Sequence, residues 1–141
     1  MKREIITYSE EETLLWAEGI GRNAKRGDIY ALYGEIGTGK TITTKGIARG
    51  LGIDEDITSP SFILLEIYNN EIPLYHFDLY RIENDVEFDM LSFEEYWEGR
   101  GVSVIEWAER AENRLPYTAI KICIEWIKHN IRRIIIEYPD D

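Results

Sequence analysis

Asp28-Ile29-Tyr30-Ala31-Leu32-Tyr33-Gly34-Glu35-Ile36-Gly37-Thr38-Gly39-Lys40-Thr41 is the stretch that decides the fold of this chain. Its first six residues are a mostly apolar run, the composition of a central strand buried on both faces. Three glycines follow, Gly34, Gly37 and Gly39, and the run from Lys40 to Leu51 reads as a helix that Gly52 stops. A glycine loop between a strand and a helix lets the backbone curl, so that successive N–H groups and the positive end of the helix point at one anion. Gly37, Thr38, Gly39, Lys40, Thr41 and Ile42 are the residues expected to cradle phosphate. Lys40 brings its charge to the β- and γ-phosphates, and Thr41 offers a hydroxyl to Mg²⁺. The stretch therefore predicts a P-loop site for a nucleoside triphosphate, with ATP and Mg²⁺ as its ligands.

Working outward, the alternation in Glu4-Ile5-Ile6-Thr7-Tyr8 predicts an edge strand. Ser9 and Glu12 then match a capping box, leading into an amphipathic helix whose apolar face holds Leu14, Leu15, Ala17 and Ile20. On the other side of the loop, the turn-forming Thr58-Ser59-Pro60-Ser61 precedes two β-rich stretches, Phe62 to Tyr68 and Pro73 to Tyr80. Asn69-Asn70 between them predicts a hairpin. Residues 82–98 carry apolar positions at Ile82, Val86, Met90, Phe93 and Trp97, with a second capping box at Ser92 and Glu95, and read as two short helices. Val102-Ser103-Val104-Ile105 is another short buried strand. After Pro116, Ala119 to Ile127 and Arg132 to Tyr138 read as an antiparallel pair joined near Lys128-His129-Asn130. The expected architecture is α/β, a P-loop NTPase fold in one domain over residues 1–141.

Composition sets bounds on what such a domain can do. At 141 residues with 44% hydrophobic content the chain can fill one ordinary core. Sixteen Lys and Arg against 27 Asp and Glu leave a net charge of −11, which disfavours direct binding to nucleic acid and favours basic partners. Cys123 is the only cysteine, so no intramolecular disulfide can form, and it reads as a core thiol. The amino terminus turns acidic at Glu10-Glu11-Glu12 where a secretion signal would be apolar, and a cytoplasmic protein is expected. Residues 83–98 hold seven acidic side chains and no Lys or Arg. That segment reads either as a solvated face or as a surface for a basic partner.

Hydrolysis needs more than a phosphate cradle: a carboxylate that holds Mg²⁺ or its water, and a group that orients the attacking water. Glu106 directly follows Val102-Ser103-Val104-Ile105, the form of a Walker B strand whose terminal carboxylate emerges where ligands bind. Asp78, in His76-Phe77-Asp78-Leu79-Tyr80, is the second candidate. For each, the competing reading is a carboxylate that caps a strand end or pairs with an arginine. Thr58-Ser59-Pro60-Ser61-Phe62 lies where other P-loop proteins keep a loop that senses the γ-phosphate, though an ordinary proline turn fits it as well. His76 and His129 form no metal-ligand pattern, and read as a strand histidine and a turn residue.

Taken together and in order, Gly34 to Thr41, Thr58-Ser59-Pro60-Ser61-Phe62, His76-Phe77-Asp78-Leu79-Tyr80-Arg81 and Ile105-Glu106-Trp107 resemble the bacterial TsaE (YjeE) family. The resemblance implies a parallel core sheet flanked by antiparallel strands and helices. It also implies an ATPase that works with TsaB and TsaD in forming threonylcarbamoyladenosine at position 37 of tRNA, meeting tRNA only through that complex. By the same resemblance Lys40, Thr41 and Glu106 serve phosphate and Mg²⁺, Asp78 positions water or metal, and Trp107 shapes the site. Glu10, ahead of the first helix, and Arg132, opening the last strand, are the further nucleotide-site residues it implies. A small-molecule kinase and a nucleotide-dependent switch without turnover are the competing functions. Against the kinase, the short chain offers no acceptor domain or arginine-rich lid.

Overall fold

A computed structural model describes residues 1–34, 39–58, 64–97 and 99–139 of the chain. Expectations resting on residues 35–38 and 59–63, including Gly37, Thr38 and most of the turn before the hairpin, lie outside the described residues. The chain runs β1 (Lys2–Thr7), α1 (Glu10–Arg22), β2 (Ile29–Tyr33), α2 (Lys40–Gly50), β3 (Leu65–Tyr68), β4 (Leu74–Asp78), α3 (Asp85–Asp89), a 3₁₀ segment (Phe93–Trp97), β5 (Val102–Glu106), a second 3₁₀ segment (Ala108–Arg114), β6 (Ile120–Lys128) and β7 (Ile131–Glu137).

The seven strands among the described residues join one sheet in the order β1-β7-β6-β2-β5-β4-β3. Neighbouring pairs among β6, β2, β5 and β4 run parallel, while β1, β7 and β3 pair antiparallel at the two flanks. This is the expected parallel core with antiparallel margins, and both predicted hairpins, β3–β4 and β6–β7, are present.

The sheet separates two cores, and the period-2 alternation of each strand decides which residue enters which. Tyr30 and Leu32 of β2, Val102 and Val104 of β5 and Leu74 of β4 pack with Ala17, Ile47 and Ala48 from α1 and α2. Ile29, Ala31, Phe77 and Ile105 face the other way, against Phe88, Phe93, Ala108 and Ala111. Every residue of β4 and β5 is buried, including the polar His76, Asp78, Ser103 and Glu106. On the second face, edge-on ring contacts such as Phe77 with Phe93, 5.0 Å between centroids, give the short helical segments their footing.

Local signals explain where the helices begin. Ser9 takes extended geometry and its hydroxyl accepts from the Glu12 N–H, while Glu12 reaches back to the Tyr8 N–H. Such a cap contributes about 1 kcal/mol. The face of α1 differs from the expected one: Thr13, Ala17 and Gly21 are buried, and Leu15 is 55% exposed. The reason is close approach. A Cβ on Gly46 of α2 would lie 2.4 Å from the Ala17 Cβ, so the two helices meet through small residues and leave no room for a leucine.

The two short helices of residues 82–98 are present, with two corrections. Val86 and Met90 are 69% and 80% exposed, and Phe88 takes the core position instead. Asn84 is the real cap of α3, accepting from the Glu87 N–H at 2.8 Å. Ser92 has φ of 53°, outside capping geometry, and only its carbonyl meets the Glu95 N–H. The acidic segment is also relieved from outside itself, because Arg114 clasps Asp89 through Nε at 2.7 Å and through its second terminal nitrogen at 3.0 Å, and lies 3.8 Å from Asp85. Cys123 is half-buried on β6, less enclosed than a core thiol. Among the described residues no helix is long and apolar enough to cross a membrane.

Candidate active site

Side chains with chemistry gather where the parallel strands β2, β5 and β4 end, the edge at which open α/β sheets bind ligands. The parallel register sets Leu32 beside Glu106 and Asp78 beside Glu106, so the ends of all three strands arrive at one level. The Leu79 N–H donates to the Glu106 carbonyl at 3.1 Å, holding the two acid-bearing ends together just past the sheet.

Lys40 opens α2 directly beyond Gly39, whose φ of 113° is a left-handed value that a side chain would strain. Lys40 is only 6% exposed. Its ammonium donates to the Gly34 carbonyl and sits 3.4 Å above the centre of the Trp107 ring. Burial lowers its pKa from the ordinary lysine value, while the carboxylates of Glu109, Glu106 and Asp78 pull the other way. Trp107 reaches this place through a backbone of φ 59° and ψ 43° at the end of β5, a conformation that costs a bulky residue roughly 1–3 kcal/mol. Tyr80 also packs against Trp107, ring centroids 4.9 Å apart.

Glu106 is 3% exposed and its two oxygens have different company. Oε1 accepts from the Thr41 hydroxyl at 3.2 Å. Oε2 takes the Thr44 hydroxyl at 3.2 Å and meets His76 Nε2 at 2.5 Å. The single Thr44 proton is shared with the Lys40 carbonyl at 3.0 Å. Asp78, 6% exposed, accepts the Tyr80 N–H at 3.0 Å.

Arg132 is also buried, and its guanidinium packs over the start of α2: a Cβ on Gly39 would lie 3.1 Å from Arg132 Nε. Arg132 pairs in register with Thr7, so the chain leaving β1 toward Glu10, the exposed first residue of α1, starts beside it. Lys40, Thr41, Glu106, Asp78 and Trp107 are thus brought together, with Gly39 and Arg132 adjoining. Ile42 is not brought to the carboxylates; it lines a groove of about 450 Å³ with Leu14, Lys45 and Arg49 on another side of α2.

Two residues of this network, His76 and Thr44, were not singled out from sequence as site residues. The signal was there in the spacing. His76 lies two residues before Asp78 on one strand face, and Thr44 one helical step after Thr41.

Among the described residues no three His, Cys, Asp or Glu side chains converge as ligands for a metal ion. A hydroxyl and one carboxylate oxygen set side by side, with a second acid nearby, are hard oxygen donors that leave most positions for water and phosphate. That donor set fits Mg²⁺, which keeps its waters and binds through one or two carboxylates with substrate phosphates.

Comparisons with known proteins agree in one direction. The family described as "Threonylcarbamoyl adenosine biosynthesis protein TsaE" matches residues 7–135. A tRNA threonylcarbamoyladenosine biosynthesis protein TsaE of Treponema pallidum is 37% identical over 131 residues, covering 93% of this chain and 97% of its own length. Its namesake in Bacillus subtilis is 42% identical over 120 residues, covering 84% of this chain and 75% of its own. A crystal structure of Bacillus subtilis YdiB superposes with a TM-score of 0.86 at 35% identity, covering 99% of this chain and 87% of that one.

Proposed function

The chain belongs to the TsaE family, and on that premise we propose that it is the Mg²⁺-dependent ATPase of the machinery that forms threonylcarbamoyladenosine at position 37 of tRNA. In this reading it acts with TsaB- and TsaD-like proteins, hydrolyses ATP to support turnover of the partner transferase, and meets tRNA only through them. The observation that carries the ATPase reading is the Thr41 hydroxyl held 3.2 Å from a buried Glu106 carboxylate at the start of the P-loop helix, beside Lys40.

Lys40 leaves the Gly34 carbonyl to meet the β- and γ-phosphates, its charge sharpened by a site that excludes water. Trp107, stacked on the lysine, walls the pocket and is itself braced by Tyr80. Mg²⁺ when bound draws charge from the phosphates. Thr41 and Glu106 would hold it, and Asp78 would orient the attacking water from the neighbouring strand end. Arg132 lies close enough to the start of α2 to add a second positive charge near the nucleotide. The net charge of −11 argues against direct contact with tRNA phosphates and for association through a basic partner surface.

Phosphate release from ATP in Mg²⁺ and in EDTA, with and without the TsaB- and TsaD-like partners, tests the reading. Mg²⁺-dependent release that the partners increase is expected. Phosphoryl transfer to an added small molecule with no free phosphate would overturn it in favour of a kinase.

A further inference from the structure

His76 is fully buried in β4, on the face it shares with Leu74 and Asp78, and the reading above gives it no task. We propose that His76 is a positioning residue for Glu106: its Nε2–H and the Thr44 hydroxyl occupy Oε2, so that the carboxylate presents Oε1 toward Thr41 and the metal position. This rests on the Mg²⁺-ATPase reading of the same site.

The contact follows from what the ring lacks. His76 Nδ1 is buried and, among the described residues, has no hydrogen-bond partner. The contact the ring makes in the described structure is therefore through Nε2, which lies 2.5 Å from Glu106 Oε2 and, as an N–H, donates to that carboxylate oxygen.

With Oε2 held by His76 and Thr44, the carboxylate cannot rotate without giving up two bonds. Oε1 stays beside the Thr41 hydroxyl. β4 therefore contributes two side chains to the site from one face. Asp78 acts at the strand end, and His76 orients Glu106 of the adjacent parallel strand from one pleat deeper. Losing such an outer contact costs about 10- to 100-fold in metal affinity or activity.

Three proteins decide this: wild type, His76→Leu, which fills the volume without a donor, and His76→Gln, whose amide reaches the place of Nε2. First, ¹⁵N-detected imidazole spectra of the wild type with neither nucleotide nor Mg²⁺ are expected to show a proton on Nε2. A ring with no proton on Nε2 overturns the proposal. Second, the Mg²⁺ concentration giving half-maximal phosphate release should rise about 10-fold or more in His76→Leu. Mg²⁺-free ADP affinity should stay within about threefold, since phosphate contacts are untouched, and His76→Gln should recover most of the loss. The gain in ATP affinity on adding Mg²⁺, measured by calorimetry, should shrink in the leucine variant in parallel. A leucine variant with wild-type Mg²⁺ dependence, or a glutamine variant no better than leucine, overturns the proposal. Should wild type itself show no Mg²⁺-dependent release, the fault lies with the ATPase reading, and the imidazole spectrum still decides the contact.

Discussion

The same residue type occupies two regions of this molecule under opposite conditions. At the strand ends Asp78 and Glu106 are 6% and 3% exposed, and Glu106 meets three side-chain partners. Between Asp78 and Glu106 in the chain, Asp85, Glu87, Asp89 and Glu95 stand on or beside α3 at the surface, where, among the described residues, Arg114 is the cation that pairs with Asp85 and Asp89, and Asn113 adds a hydrogen bond to Asp85. A buried carboxylate persists as an anion only if every oxygen is satisfied, so its surroundings are dictated in detail. An exposed one is satisfied by water and dictates nothing. Substitutions should therefore cost function at the strand ends, and little of anything on α3.

The largest effect on binding is expected at the cation that the buried acids face. Lys40→Ala should weaken triphosphate binding by about 100-fold, the scale of removing one charge-assisted contact of up to about 3 kcal/mol. Calorimetry with a non-hydrolysable triphosphate measures it. Because burial holds the Lys40 pKa below the ordinary lysine value, wild-type affinity should begin to fall at a lower pH than an exposed lysine would allow. The sign is fixed by binding needing the ammonium: affinity is full below the lowered pKa and is lost as pH rises through it. Loss of less than threefold in Lys40→Ala would remove the buried region's claim to be a phosphate site.

The largest effect on turnover is expected of Glu106→Gln, which keeps the volume and loses the charge. Turnover should drop by about 10²- to 10³-fold, as when one transition-state contact is removed from a preorganised site. Mg²⁺-free ADP affinity should change by less than about threefold, because Glu106 touches Thr41, Thr44 and His76, while in the proposed site the phosphates are met by Lys40. Phosphate release and ADP calorimetry on one preparation separate the two. Equal losses in both would mean that Glu106 supports the loop's shape instead of serving the metal.

Much of the buried region could be read from sequence, and the surface region much less. Asp28 to Tyr33 and Val102 to Ile105 announced central strands because a strand covered on both faces is mostly apolar and lacks the alternation of a half-exposed one. The glycine spacing then placed Lys40 and Thr41 at a helix start, and Glu106 followed as the first polar residue past an apolar run. His76 was passed over because its meaning depends on the parallel register of β4 with β5 and on the side of α2 that faces them, and neither is encoded locally. Leu15, Val86 and Met90 were assigned inward because they are apolar at helical spacing. Small-residue contact between α1 and α2, and Phe88 under α3, already fill those places. Helical periodicity cannot tell a leucine that packs from one that merely fits the period.

The smallest expected effect lies in the exposed region. Asp89 is the last residue of α3, where the helix dipole disfavours a carboxylate, yet its pKa is lowered, first by its hydrogen bonds with Arg114. That pair is open to solvent, with side chains 46% and 36% exposed, so most of its attraction is screened. Asp89→Asn should lower the melting temperature slightly at neutral pH and low salt, and the difference should shrink in about 1 M salt, where the Debye length falls to about 3 Å. The pH dependence carries the sign of a depressed acid. The contribution is present above the unfolded value of about 3.9 and is lost as pH falls through the lower folded value. Wild type and variant should therefore converge once the pH lies below both. Thermal melts at several pH values, in low and high salt, make the comparison with the strand ends. A difference that persists unchanged in acid and in salt would show that Asp89 is held by packing or capping, and that this surface is more tightly organised than the exposure of its acids implies.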